Sequence, residues 1–350
     1  MKDITVPSNI TIRQAMKQLS LTGEKCLVIT NEENKLLGTL SDGDVRNAIL
    51  KGVGFGDSIE SIFQQNPTVL VEGKYSLPEV KKLFASHKFD LIPVVNEKGT
   101  LADILFWESV LINGDIRRKE ELDVPVVIMA GGKGTRLEPF TKILPKPLVP
   151  IHEKPIIEHI IERFTDIGCQ NFFLSLNYKG KILKAYFQEL NPDYKIHFVE
   201  EQSPSGTAGS LSLLKGNFEQ PFFVTNCDII IKTDYNKLYE FHKKGGYSIT
   251  LVASAKEFII PYGTCKLNSE GHLLHITEKP KYDFLVNTGL YILNPDILEL
   301  IPENKFYHIT NLITDANNMD KKVGVFPIND DDWIDTGQWE EYQKAIEKLA

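Results

Sequence analysis

The run VPVVIMAGGKGTRL, from Val124 to Leu137, constrains this chain more than any other stretch. An apolar, β-rich segment passes without a break into glycines and then into a cation. This is the pattern of a buried parallel strand whose C-terminal end meets a phosphate-binding loop. The loop comprises Ala130, Gly131, Gly132, Gly134 and Thr135. Its glycines let backbone N–H groups approach an oligophosphate closely. The fold class implied is α/β, Rossmann-like, with a mostly parallel central sheet and alternating strands and helices, the loop opening into a helix.

Two commoner loops are excluded. A P-loop has Ser or Thr after Gly-Lys, but Gly134 follows Lys133; a dinucleotide fingerprint has glycine at 137, where Leu137 stands. Ten residues beyond Arg136 comes Lys146, within Leu144-Pro-Lys-Pro-Leu-Val-Pro. Two cations bracketing a proline-stiffened loop suit a polyphosphate and the charge on a pentavalent phosphorus. Taken whole, GGKGTRLEPFTKILPKPLVP resembles the signature of the sugar-1-phosphate nucleotidyltransferases, whose catalytic domain is GT-A-like. The resemblance assigns catalysis to Arg136 and Lys146, and binding of the nucleotide to these two, the loop residues above and Asp228.

Further motifs follow in the family's order. EEQSPSGTAGSL resembles the second nucleotide loop, with Gly206 and Thr207 beside base and ribose. Glu201 falls where a base-edge residue would lie, and a solvated acid is the equal alternative. FFVTNCD reads on its own as a buried strand ending in Asp228, and a carboxylate at such a strand end sits in the functional crevice. The family implies that Asp228 holds Mg²⁺, with Asp335 of WIDTGQW as the second ligand. Magnesium needs few protein carboxylates when phosphate oxygens complete its shell. The resemblance places the sugar phosphate at Gly263 (PYGT), Glu278 and Lys279 (TEKP), and Asn287 and Gly289 (NTGLY). Any one of these alone would also read as a turn.

The N-terminal part repeats itself. A helix–strand–strand–helix order over Ile10 to Val45 recurs about 64 residues later, from Leu77 to Leu111. It resembles the paired cystathionine-β-synthase (CBS) module, an α+β fold. In that family a Ser/Thr and an Asp three residues on, at a helix start, grip an adenine nucleotide. Ser41 and Asp44 match, whereas the second copy offers Leu105 and Glu108. The plain alternative is that Ser41 and Asp44 only cap their helix. Polar residues from Asn113 on mark a boundary, giving a CBS module over 1–118 (repeats about 1–58 and 59–118), a linker over 119–123 and a transferase domain over 124–350.

Composition narrows the partners. With 39 basic and 47 acidic residues and no basic cluster, nucleic acid and anionic membrane are not expected partners. No leader or membrane-spanning run is readable, and four scattered cysteines suggest buried thiols, so a cytoplasmic location is expected. The eight histidines form no metal or catalytic pattern, and no Ser/His/Asp or Cys/His set is readable, so covalent catalysis has no support.

The reaction expected is one in-line displacement of pyrophosphate from a nucleoside triphosphate by a sugar 1-phosphate, helped by Mg²⁺. A CBS pair ahead of such a domain resembles the guanylyltransferases that make GDP-glucosamine for bacterial legionaminic acid synthesis, which implies GTP and glucosamine 1-phosphate. A mannose-1-phosphate guanylyltransferase and a UTP- or dTTP-using enzyme are the alternatives. A non-catalytic nucleotide-sensing regulator is the reading from another class. Adenine or guanine nucleotide at the CBS module and a homo-oligomer complete the expected partners.

Overall fold

The computed structural model describes residues 4–87, 89–107, 110, 122–201 and 203–349. The chain divides into two units, Met1–Arg118 and Lys119–Ala350. Residues 119–121 of the expected linker lie outside the described residues.

In the first unit β1 (Thr5–Pro7), α1 (Ile12–Thr22), β2 (Cys26–Thr30), β3 (Leu36–Ser41) and α2 (Asp42–Leu50) are followed by β4 (Leu70–Val71), α3 (Leu77–His87), β5 (Leu91–Val95) and β6 (Leu101–Phe106). In each half the leading strand is parallel to the middle one, and the third is antiparallel to it. β2 and β5 are buried at every residue, which is why they read as apolar runs and not as alternation. The halves exchange reciprocal bonds across their turns. Leu36 N–H donates to the Gly99 carbonyl at 3.1 Å, and Leu101 N–H to the Asn34 carbonyl at 2.9 Å.

The register corrects the repeat by one residue. Cys26 pairs with Ser41 and Leu91 with Phe106, so the counterpart of Ser41 is Phe106 and not Leu105. Glu108, expected opposite Asp44, lies outside the described residues. Ser41 and Asp44 form a capping box at the start of α2. The Asp44 N–H donates to Ser41 Oγ at 3.1 Å, and the Ser41 N–H and hydroxyl donate to Asp44 Oδ2 at 2.9 and 2.6 Å.

The second unit runs β7 (Val126–Met129), β8 (Pro150–Ile151), β9 (Lys154–Pro155), α4 (Ile156–Thr165), β10 (Asn171–Leu176), α5 (Gly180–Leu190), β11 (Lys195–Glu200), β12 (Phe222–Asn226), β13 (Ile229–Ile231), α6 (Tyr235–Gly245), β14 (Ile249–Ile259), β15 (Thr264–Leu267), β16 (Leu273–Thr277), β17 (Lys281–Leu293), α7 (Ile309–Asn318), β18 (Val323–Asn329), β19 (Trp333–Asp335) and α8 (Trp339–Lys348). Among the described residues seven strands form one sheet, in the order β11-β10-β7-β12-β17-β14-β18. β17 runs against its neighbours and the other pairings are parallel, the mostly parallel sheet that the sequence implies.

Alternation along β7 builds two cores. Val126 and Ile128 pack with Ile156, Ile157, Ile160, Ile161 and Phe164 of α4, while Val127 packs on the other face with Phe222, Val224, Tyr291 and Leu312. The α4 spacing puts one apolar stripe on the sheet. That packing holds the helix, since Pro155 at its start offers no side-chain cap. The glycine loop does not open into an α-helix, as its sequence suggested. It leads into three short 3₁₀ turns, Thr135–Leu137, Phe140–Lys142 and Lys146–Leu148, because Pro139, Pro145 and Pro147 deny the N–H groups that a helix needs. Beyond the core, β14 and β17 continue as an exposed ladder that carries Phe258, Ile259, Tyr282 and Phe284, next to the exposed β15–β16 hairpin. Among the described residues no helix is long and apolar enough to cross a membrane.

Candidate active site

β7 is flanked by β10 on one side and β12 on the other, so the chain leaves it in both directions across the sheet. A crevice opens at such a switch point, outside the strand ends. Here it is a cleft of about 260 Å³ lined by Arg136, Asn226, Asp228, Ile229, Asn287, Thr288, Gly289, Tyr291, Trp333 and Asp335.

The antiparallel pairing of β13 with β19 sets Ile229 opposite Asp335, which brings Asp335 beside Asp228. Thr336 locks the arrangement: its N–H and hydroxyl both donate to the Asp228 carbonyl at 2.8 Å. Gly337 marks where the charges meet. A Cβ added there would lie 2.9 Å from Asp228 Oδ2, 2.9 Å from Asp335 Oδ1 and 3.3 Å from Lys146 Nζ. Lys146, only 7% exposed, makes an ion pair with Asp228. Burial pushes the Asp335 carboxyl above its ordinary range, opposed by the Gly337 N–H at 2.6 Å. Asp228 raises it further, while Lys146 and Arg136 lower it. Two hard carboxylates forced together suit a divalent cation. Among the described residues no third His, Cys, Asp or Glu joins them.

The glycine loop is held over this centre. Gly134 has φ +66°, and a Cβ on it would come within 2.9 Å of Lys146 Cβ and 3.0 Å of Thr141 Cγ2. The Thr141 hydroxyl donates to the Gly134 carbonyl at 2.9 Å, so the Lys146 stem runs directly beneath the loop. Gly132 faces open space, and Thr135 and Arg136 are exposed. Ala130 is fixed to β10 through its N–H and the Ser175 carbonyl at 3.0 Å.

The second loop is tied to the sheet by its own side chains. Glu201 is not a solvated acid. Its Oε1 accepts from the Ser175 hydroxyl at 2.6 Å, and its Oε2 from the Ser205 N–H at 3.1 Å and hydroxyl at 2.8 Å. It braces the loop to the sheet instead of presenting a free carboxylate to a base edge, and Gly131 gives it room, with an added Cβ at 2.8 Å from Oε1. Gly206 is required by the protein's own packing: its φ is +83°, and a Cβ would sit 2.6 Å from the Tyr307 carbonyl oxygen. Thr207 Oγ1 accepts the Ile309 N–H at 3.0 Å, so it anchors the start of α7.

On the sugar side the structure gathers some of the expected residues and not others. Asn287 and Gly289 line the cleft. The Asn287 amide is fixed, with Nδ2 donating to the Tyr291 hydroxyl at 2.8 Å and Oδ1 accepting the Gly289 N–H at 3.1 Å. Gly263 and Glu278 sit together at the base of the exposed hairpin, 2.9 Å from an added Gly263 Cβ to Glu278 Oε2. They and Lys279, at φ +44°, are exposed and not among the cleft-lining residues.

Asn226, Thr288, Tyr291, Trp333 and Gly337 belong to the site and escape a reading of charged motifs. Each lies within two residues of one that such a reading selects. Trp333 carries a further signal: its indole Nε1 is buried without a hydrogen-bond partner. Lys256 lies 5.4 Å from its ring.

Comparison with known proteins agrees with this fold. The nucleotidyl transferase family model matches residues 125–350, and the CBS domain model matches residues 1–51. A mannose-1-phosphate guanyltransferase of Schizosaccharomyces pombe is 35% identical over 62% of this chain and 61% of its own length. That of Aspergillus fumigatus is 38% identical over half of each chain. The chain thus spans half to three fifths of these relatives. The crystal structure of HddC from Yersinia pseudotuberculosis, also solved with GMP-PN, superposes over 65% of this chain and all of its own, with 30% identity and a TM-score of 0.52. A UDP-glucose pyrophosphorylase, at 21% identity and a TM-score of 0.50, shares the fold. The match over residues 125–350, more than half of the chain, makes this protein a member of the nucleotidyl transferase family.

Proposed function

We propose that the chain is a sugar-1-phosphate guanylyltransferase, joining GTP and a hexose 1-phosphate into a GDP-sugar and pyrophosphate in the cytoplasm. The observation that carries this reading is the convergence of Asp228, Asp335, Lys146 and Arg136 at one cleft on the switch point of the sheet. An oxygen of the sugar phosphate forms a bond to the α-phosphorus of GTP. The bond from that phosphorus to the bridging oxygen breaks, and pyrophosphate leaves with the electron pair. The attacking phosphate is already ionised at neutral pH, so no general base is needed. Positioning and charge stabilisation then supply the rate.

Arg136 and Lys146 hold the triphosphate and the leaving group, while the glycine loop supplies N–H donors. Asp228 and Asp335 are the residues that would hold Mg²⁺, which would supply charge neutralisation at the α-phosphate. Asn287 and Gly289 orient the hexose. Lys279 and Glu278 reach the sugar phosphate by movement of the exposed hairpin.

For the sugar, glucosamine 1-phosphate is the first reading. It rests on the CBS module ahead of the transferase domain, an order that resembles the guanylyltransferases feeding legionaminic acid synthesis. Mannose 1-phosphate is the second, supported by the names of the relatives above. Ser41 and Asp44 are offered as the nucleotide grip of the CBS module, by which an adenine or guanine nucleotide tunes turnover. A homo-oligomer is part of the same reading. Incubating the protein with Mg²⁺, each of the four common NTPs and a panel of sugar 1-phosphates tests it through pyrophosphate release. GTP with glucosamine 1-phosphate should turn over fastest. Preference for mannose 1-phosphate would select the second reading, and preference for UTP or dTTP would refute guanylyl transfer.

A further inference from the structure

Lys146 lies at the junction of two sites that cannot both have it. Its ammonium is paired with Asp228 and lies near Asp335, at the point where an added Gly337 Cβ would touch all three groups. Its stem, by contrast, packs under the glycine loop, with Cβ and Cδ 2.9 and 3.4 Å from an added Gly134 Cβ. A buried ammonium must keep a counter-charge, and a buried carboxylate pair must keep a cation. Arg136 is exposed, and its charge favours the ionised form of Asp335.

We infer that Lys146 is the resident cation of the metal site and yields Asp228 to the divalent ion, so that metal binding frees its ammonium to swing to the phosphates under the glycine loop. This rests on the carboxylate pair of the proposed function being the metal site. The charge count closes in both states. Without the ion, Lys146 balances Asp228 and Arg136 offsets Asp335; with it, the ion balances the two carboxylates and the ammonium needs a new anion. Nucleotide phosphate supplies that anion. Lys146 therefore couples the two binding events, and ion and nucleotide favour each other by a reciprocal factor.

Two measurements on the full-length protein test the exchange without relying on turnover. In the first, Mn²⁺ is titrated alone and free ion is followed by electron paramagnetic resonance. Lys146→Met and Lys146→Gln should bind Mn²⁺ on the order of 10-fold more tightly than wild type, because the competing cation is gone. Lys146→Arg should stay near wild type. Unchanged or weaker binding in Met and Gln, or no Mn²⁺ bound by any form, overturns the inference. In the second, the wild-type protein is pulsed with an amine-reactive ester and Lys146 labelling is read by peptide mass spectrometry. Labelling should rise several-fold on adding Mg²⁺, and should be high without it in Asp228→Asn. Labelling indifferent to Mg²⁺ overturns the exchange while leaving guanylyl transfer standing. Failure of GTP turnover would sink the proposed function and leave both readouts intact.

Discussion

Gly289 and Asn226 sit so close across the cleft that a Cβ on Gly289 would lie 2.5 Å from the Asn226 amide nitrogen. Gly289 also holds φ +91°, where an L side chain is strained in any surroundings. Gly289→Ala should therefore fold with a loss of about 1–3 kcal/mol and push Asn226 out of place. The expected outcome is at least a 10-fold fall in kcat/KM for the sugar 1-phosphate with a smaller change in KM for the nucleotide. Steady-state kinetics and a urea titration check it.

In the proposed function Arg136, Asp228 and Asp335 act on charge and not on packing. Arg136→Ala, Asp228→Asn and Asp335→Asn should each lower turnover on the order of 10²-fold, the usual cost of lost transition-state electrostatics. Circular dichroism should show an unchanged fold. Near-normal Mg²⁺-dependent pyrophosphate release by Asp228→Asn would remove that residue from the metal site.

How far this was legible in sequence follows from where each signal resides. Asp228 reads as functional because β12 is an apolar run that stops at a carboxylate, and Asp335 because WIDTGQW resembles the family's second metal motif. That the two meet is a property of the β13–β19 pairing, whose three-residue strands have no periodicity to read. The glycines split similarly. Gly134 is where a phosphate loop needs it, but Gly206 is glycine because Tyr307, far along the chain, packs against it. Glu201 reads as a charge to be solvated or spent on a ligand, because Ser175 and Ser205 become its partners only once β10 and the second loop are side by side. The one-residue error in the N-terminal repeat has the same origin. Register is fixed by pairing, and Cys26 with Ser41 against Leu91 with Phe106 settles it.

Glu201 should accordingly act through the second loop. Glu201→Ala leaves the Ser175 and Ser205 hydroxyls without their acceptor, which costs about 1–3 kcal/mol. The nucleotide KM should rise more than kcat falls, because the loop and not the reacting centre is released. Glu201→Gln, which keeps one acceptor oxygen, should fall between Ala and wild type. Equal kinetics for Ala and wild type would dismiss the brace.

His242 sets an acid limit on stability. It is buried between α6 and the sheet, with Nδ1 2.9 Å from the Thr250 hydroxyl and Nε2 3.0 Å from Asn294 Oδ1. The Asn294 amide donates to the Tyr247 carbonyl at 3.1 Å, so its oxygen faces the ring. Nε2–H then donates to that oxygen, and neutral Nδ1 accepts from Thr250. Burial lowers the His242 pKa below its ordinary value, against a smaller raising effect of the Asn294 bond. The unfolded chain therefore takes up the proton first. Above about pH 6.5 both states hold a neutral ring and the full stability is present. As pH falls from there through the lowered folded-state pKa, the unfolded state gains protons that the folded state refuses, and stability is lost. The urea midpoint should drop across this window, and His242→Gln, which cannot titrate, should flatten that part of the profile while being less stable at pH 8. A His242→Gln profile parallel to wild type between pH 7 and 5 would assign the acid sensitivity elsewhere.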